Sequence, residues 1–280
     1  MEWRRGCFKE GGLKIRDLGV LSGPVIAYGG ALGNLAALGA LLREATRAGV
    51  PAARVICTGD IVGIGAQGQD CIAATRAFGG AVVAGNIEQQ LAAGAADSGS
   101  GYAPGSVSRR LAAAWWAATG GEVGPDARGW MGDLPDALVF SHAGRRLAVL
   151  HGGASDVARF VWPTTPAEVI RQEIAAAAAA TGPLDAVIAG HAGVAFERVV
   201  DGVSWINAGM IGLPPNDGRR GGRYLRLDED GARIMRLDYD PAPAFAAMVA
   251  AGRTEGFDRT LLSGHWPSED FLPQEMRSSG

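Results

Sequence analysis

The sequence predicts an α/β protein built as a four-layer sandwich, two mixed β-sheets flanked by helices. Two observations carry that expectation. The chain opens on a strand–helix–strand unit and then turns strand-rich, an order that suits two packed sheets with helices outside them. Its 280 residues, 48% hydrophobic and 20% charged, are enough for one large buried core.

Residues 1 to 23 are read as a leader packed on the domain edge, 24 to 264 as a single domain and 265 to 280 as a C-terminal tail. Val25-Ile26-Ala27-Tyr28 is the first strand, broken by Gly29-Gly30. A helix follows from Asn34, a side chain suited to the N-cap, with Leu35, Leu38, Leu41, Leu42 and Ala45 on one face and Gly49 as its stop. Arg54 to Thr58 is the next strand, Gln69 to Phe78 a second amphipathic helix, and Ala81 to Ala84 the third strand. Leu91 to Ser106 is rich in Gly, Ala and Ser and is expected as a mobile loop. Val107 to Thr119 carries Leu111, Trp115 and Trp116 at helical spacing, which assigns the tryptophans to the core.

A short helix near Asp126 to Met131 precedes a hairpin whose strands, Ala137 to His142 and Arg146 to His151, turn at Ala143-Gly144. His142 lies within that hairpin and is assigned a structural or exposed place. Thr165-Pro166-Ala167-Glu168 has the form of a capping box opening a helix to about Ala180. The next strand ends at His191. Hairpins turning at Asp201-Gly202 and near Asp230-Gly231 follow, and a last helix runs from Pro241 to about Ala251.

Four apolar runs end alike. Arg54 to Thr58 stops at Gly59-Asp60, Ala81 to Ala84 at Gly85-Asn86, Leu147 to Leu150 at His151-Gly152, and Ala186 to Ala189 at Gly190-His191. Each puts a metal-competent side chain beside a glycine. Open α/β sheets place ligands outside the carboxyl ends of their strands, so Asp60, Asn86, His151 and His191 are expected on one rim. One carboxylate, one amide oxygen and two imidazoles suit a single divalent ion of the Mn2+, Fe2+ or Zn2+ type.

The series resembles the calcineurin-like metallophosphoesterases, in motif order from about Val25 to Gly264, and most closely their bacterial single-domain branch. That family's pattern is Asp-x-His-Gly-Asn, Gly-Asp, Gly-Asn-His-Asp/Glu, His-Gly and Gly-His-x-His. Here the matching stretches are Gly30-Ala31-Leu32-Gly33-Asn34, Gly59-Asp60, Gly85-Asn86-Ile87-Glu88, His151-Gly152 and Gly190-His191-Ala192-Gly193. The resemblance implies one complete metal site, Asp60, Asn86, His151 and His191, with Asp60 and His191 at the reaction centre. The other site keeps only its bridging Asp60, because its remaining positions are Gly30, Leu32 and Gly193. The family's catalytic histidine falls on Ile87, which has no proton to give.

A supporting or substrate-contacting set is expected around these residues. Glu88 would back Asn86. Gly30 and its neighbours would offer amides to a phosphate. Asn34 closes the first motif, and Asn207-Ala208-Gly209-Met210 is similar to the family's Asn-Pro-Gly-Ser stretch. Asp156, five residues past His151, is the one further carboxylate considered for the pocket.

The function implied is a metal-dependent phosphoesterase acting on a small phosphodiester or phosphomonoester. A second reading stays open, a non-catalytic homologue that binds a phosphorylated ligand or a protein partner in the same cleft. A net charge of −3 argues against a nucleic-acid partner, with Arg219-Arg220-Gly221-Gly222-Arg223 read as a solvated loop. The three cysteines have no framework spacing, and neither a secretory signal nor an eighteen-residue apolar run is present, so a cytoplasmic protein without membrane contact is expected.

Overall fold

The structure, a computed structural model, describes residues 12–278. Its first half runs β1 (Ile15–Val20), β2 (Val25–Tyr28), α1 (Leu35–Arg47), β3 (Val55–Cys57), α2 (Gly68–Phe78), β4 (Ala81–Val82), α3 (Asn86–Ala92), α4 (Val107–Glu122) and α5 (Pro125–Asp133). The second half runs β5 (Ala137–His142), β6 (Arg145–Val149), α6 (Ala167–Thr181), β7 (Ala186–Ala189), β8 (Phe196–Val200), β9 (Val203–Asn207), β10 (Gly222–Asp228), β11 (Gly231–Leu237), α7 (Ala242–Ala250) and α8 (Phe257–Ser263).

These strands form two mixed sheets, ordered β1-β5-β6-β7-β9-β8 and β11-β10-β2-β3-β4. In the larger sheet β6, β7 and β9 run parallel; in the smaller, β2, β3 and β4 do. The burial pattern explains why the sheets stack. Along β2, Val25 and Ala27 face the other sheet while Ile26 and Tyr28 face the helices, a period of two with both faces apolar. The inter-sheet layer joins Val25, Ala27 and Ile56 to Phe140, Leu147, Val149 and Ile188. Leu38 and Leu41 of α1 and Cys71 and Ile72 of α2 cover the smaller sheet, and Ile170 and Ala177 of α6 cover the larger. The expected helix–sheet–sheet–helix sandwich is therefore the observed one.

Several local expectations change. Part of the leader is β1, the edge strand paired in parallel with β5, while residues 1–11 lie outside the described set. His142 is buried, and its Nδ1 meets the Leu21 carbonyl at 2.9 Å, which ties that leader to the sheet. The capping box at Thr165 does not form. Pro166 is still extended at ψ 138°, so α6 starts one residue later and Glu168 sits too early in the first turn to reach back. The Thr165 hydroxyl instead accepts from the Trp162 amide, 2.8 Å away. The tail returns to the molecule, where Leu272 is buried against Trp162 and Ala192. Among the described residues no helix is long and apolar enough to cross a membrane.

Candidate metal centre

The parallel strands of both sheets end at one rim. The smaller sheet delivers Asp60 just past β3 and Asn86 at the start of α3; the larger delivers His151 past β6 and His191 past β7. Glycine makes the approach feasible. A Cβ on Gly59 would lie 2.6 Å from the Gly85 nitrogen and 2.8 Å from His151 Nδ1, and one on Gly85 would lie 2.5 Å from Asp60 Oδ1. Asp60 and His191 both adopt left-handed backbone, φ 58° and 60°, a strained region for such residues that turns each side chain into the rim.

The donor atoms converge. His151 Nε2 lies 3.0 Å from Asn86 Oδ1, 3.1 Å from His191 Nδ1 and 3.3 Å from Asp60 Oδ2. Ligands on bonds of ~2.1 Å stand about 3.0–3.4 Å apart in octahedral or tetrahedral order, so this spacing is that of one coordination sphere. The surroundings fix which atom of each side chain faces inward. Asn86 Nδ2 donates to the Ser98 carbonyl at 2.8 Å and to Ser100 Oγ at 3.3 Å, which turns Oδ1 toward the histidines. His151 Nδ1 donates to the Thr58 carbonyl at 2.6 Å, leaving Nε2 for the centre. Four electron-rich atoms this close need a cation or a proton among them. Asp60 Oδ1 and His191 Nε2 are also buried without a hydrogen-bond partner. The residues present fit a divalent ion.

Electrostatics give the same answer. Burial pushes the Asp60 carboxyl up, but the His151 imidazole outweighs it and holds the carboxyl below its ordinary value. Burial alone would lower His151; the Asp60 carboxylate raises it above the ordinary imidazole value. Burial, with the His151 charge, pushes His191 down to about 3. Without metal, a proton on His151 Nε2 therefore takes the ion's place, and the ion must displace it. Divalent-ion affinity is expected to fall as pH drops through the His151 range, by up to about tenfold per unit, while His191 stays neutral. For the metal-free protein, the raised His151 contributes stability that is full below about pH 6.5 and lost as pH rises through its folded value. The lowered Asp60 contributes stability present above about pH 3.8 and lost on acidification. Calorimetry with Mn2+ at several pH values, beside melting curves of metal-free protein, checks both signs.

Glu88 backs the centre more broadly than the sequence suggests. It is fully buried, and its carboxylate accepts from the amides of Asp60 at 2.9 Å, Ile61 at 2.8 Å and Gly85 at 2.9 Å. One side chain thus clamps the two loops that carry Asp60 and Asn86. Burial, then the Asp60 charge, raises its own pKa. Glu88→Ala is expected to leave three buried amides unmatched and to cost about 3 kcal/mol in urea unfolding, with weaker metal binding as well.

The other expected supporters take different places. Asn207 bridges strand ends, donating to the Gly190 carbonyl at 2.6 Å and accepting from the Gly209 amide at 2.9 Å, one residue from His191. Asn34 caps α1 through the Ala37 amide and donates to the Gly212 carbonyl and the Tyr239 hydroxyl, which makes it a fastener of the fold. Gly30 lines the cavity, yet the amides of Gly30, Leu32 and Gly33 already donate to the carbonyls of Gly59, Asp60 and Ile61. Three of the amides expected to face a phosphate are therefore engaged elsewhere. Asp156 caps the Ala158 amide and lies outside the ligand cluster. The loop expected to be mobile is instead anchored, with Ser98 and Ser100 buried against Asn86.

A family model, the calcineurin-like phosphoesterase superfamily domain, matches residues 34–231. The chain belongs to that superfamily. No curated protein matches the sequence. Among solved structures, a metallophosphoesterase from Sphaerobacter thermophilus is 20% identical with a TM-score of 0.66, the match covering 87% of this chain and 100% of that one. A hypothetical protein from Pyrococcus horikoshii OT3 is 16% identical with a TM-score of 0.69, covering 87% and 99%. These likenesses establish the calcineurin-like fold.

Within that phosphoesterase fold, the side of Asp60 away from His151 is apolar. Met210 packs between two glycines: a Cβ on Gly193 would lie 2.9 Å from its Cε, and one on Gly30 would lie 3.3 Å from its Cβ. Leu32, Ile87 and Trp115 converge in the same way on Gly63. Across the rim, the Phe160 ring covers His191 with centroids 4.3 Å apart, and Trp162 stacks on Phe160 at 5.2 Å. Sequence reasoning placed Met210 near the site only through the Asn207 stretch and singled out neither Phe160 nor Trp162, because an apolar or aromatic side chain carries no local mark of the cavity it lines.

Proposed function

We propose that this superfamily member is a metal-dependent hydrolase of a small phosphate ester, working with one divalent ion held by Asp60, Asn86, His151 and His191. The observation that carries the reading is the convergence of the other three donor atoms on His151 Nε2. Bound there, Mn2+, Fe2+ or Zn2+ would supply a Lewis acid for a phosphoryl oxygen. The chain's own residues do the rest. Asp60 brings the one formal negative charge among the four, Thr58 and Ser98 orient the neutral ligands, and Glu88 holds the loops in register. Ile87 offers no proton to a departing alkoxide, so the reading favours esters whose alcohol is acidic enough to leave unaided. The partners are then small phosphorylated molecules in the cytoplasm, with no nucleic acid or membrane involved.

A second reading, binding without turnover, is favoured by Gly30, Leu32 and Gly193 at the positions of the family's first-site ligands and by Ile87 at that of its proton donor. Assay of para-nitrophenyl phosphate and its bis-ester with Mn2+, Fe2+ and Zn2+ separates the two. Metal-dependent turnover, reduced at least about a hundredfold in Asp60→Asn, supports the hydrolase. No turnover with any of the metals overturns it in favour of binding alone.

A further inference from the structure

The cavity beside Asp60 and His191 has two unlike ends. Its polar end is the metal centre. Its other wall is built from Leu32, Ile87, Trp115, Met210, Phe257 and Phe271, and among the described residues no lysine or arginine lines it. That composition is unusual for a pocket that must hold a phosphorylated molecule, because arginine and lysine are the ordinary partners of phosphate oxygens. Only the metal end can take the anion, and whatever is attached to the anion must lie against hydrocarbon and aromatic rings.

Of the four hydroxyl-bearing side chains on the lining, Ser100, Tyr102, Ser108 and Ser268, two are already committed. Ser108 Oγ donates to the Asp270 carboxylate, and Ser100 Oγ accepts from Asn86 and pairs with Ser98 at 2.8 Å. A sugar seated here would meet fewer hydrogen-bond partners than its hydroxyls need, which is costly.

We propose that the phosphate ester taken by this site carries an apolar aromatic body, and that the site discriminates against the hydroxyl-rich body of a sugar phosphate. The inference deepens the phosphoesterase reading and rests on it for the phosphate, whereas the apolar seat stands on the cavity alone. It also supplies a chemical rationale for Ile87. An aryl alcohol is a far better leaving group than a sugar hydroxyl, and a cleft that favours the former has less use for a proton donor.

The test begins with the metal-free full chain titrated calorimetrically with para-cresol and, separately, with ribose. Para-cresol is expected to bind at least about tenfold tighter. Leu111 lines the cavity from α4 and takes no part in the metal cluster. Leu111→Glu and the milder Leu111→Ser, each checked for a native melting curve, are expected to weaken para-cresol by about tenfold and to leave Mn2+ binding unchanged. Equal binding of the two probes, or para-cresol affinity unchanged in both variants, would overturn the proposal. With Mn2+ added, phenyl phosphate is expected to turn over and glycerol phosphate to fail. Turnover of glycerol phosphate at the same rate would overturn it as well. Tight para-cresol binding with no turnover of any phosphate would remove the hydrolase reading and leave the apolar seat in place.

Discussion

Replacing Asp60 with asparagine is expected to take the bound divalent ion from about one per chain to near zero, with affinity at least ~100-fold weaker. Asp60 is the ligand whose loss has the largest electrostatic effect, since Asn86 and His191 are neutral and His151 becomes so when an ion displaces its proton. Asparagine is also the substitution that best preserves the fold. It tolerates the left-handed backbone at φ 58° and keeps the side chain's shape. A second consequence separates loss of charge from loss of structure. The carboxylate that raises His151 would be gone, so the pH dependence of metal-free stability on the alkaline side is expected to flatten. Metal analysis of the purified variant together with melting curves across pH measures both effects. An ion content unchanged from wild type would mean that the four donors are not the site.

Much of this centre was legible because it lies on strand ends. An apolar run of period two, cut off by glycine and followed by Asp, Asn or His, encodes locally both the strand and the rim position of its last residue. Two facing sheets then bring four such ends together, and the order of elements already implied two sheets. What the sequence hid was non-local. Glu88 sits two residues after Asn86 in the chain, but two of its partners are the amides of Asp60 and Ile61, more than twenty residues away. Ser98 and Ser100 have the composition of a surface loop, and only the buried Asn86 amide gives them a reason to be fixed. The glycine-rich stretch at Gly29 to Gly33 looked like free amides because nothing local reveals that the carbonyls of Gly59, Asp60 and Ile61 claim those of Gly30, Leu32 and Gly33. Met210, Phe160 and Phe271 carry no chemistry that marks them individually. Their place on the cavity follows from long-range packing, which a local pattern does not encode.

The residue expected to matter most for stability is likewise invisible to motif reading. Arg253 follows α7, is buried to 3% exposure, and reaches into the loop that continues from Asp60. Its guanidinium donates to the carbonyl of Gly63 at 2.6 Å, to Ile64 at 3.3 Å and to Gly65, and it pairs with Glu122 at 2.6 Å. It thus joins the 61–66 loop, α4 and the end of α7 through one planar donor group, a geometry that lysine cannot reproduce. Arg253→Ala would leave those carbonyls facing a void and Glu122 without its partner. The expected cost is about 3–5 kcal/mol, or a Tm lowered by roughly 10 °C. Glu122→Ala should cost under about 1 kcal/mol, because its carboxylate is a third exposed and the backbone bonds of Arg253 survive it. Metal affinity is expected to change less than about tenfold in Arg253→Ala, since Glu88 fixes the Asp60 and Ile61 amides independently. Urea unfolding and Mn2+ titration of the two variants test this division of labour. A cost below about 1 kcal/mol for Arg253→Ala would show that the loop is held by its contacts with Leu32 and Gly33 instead.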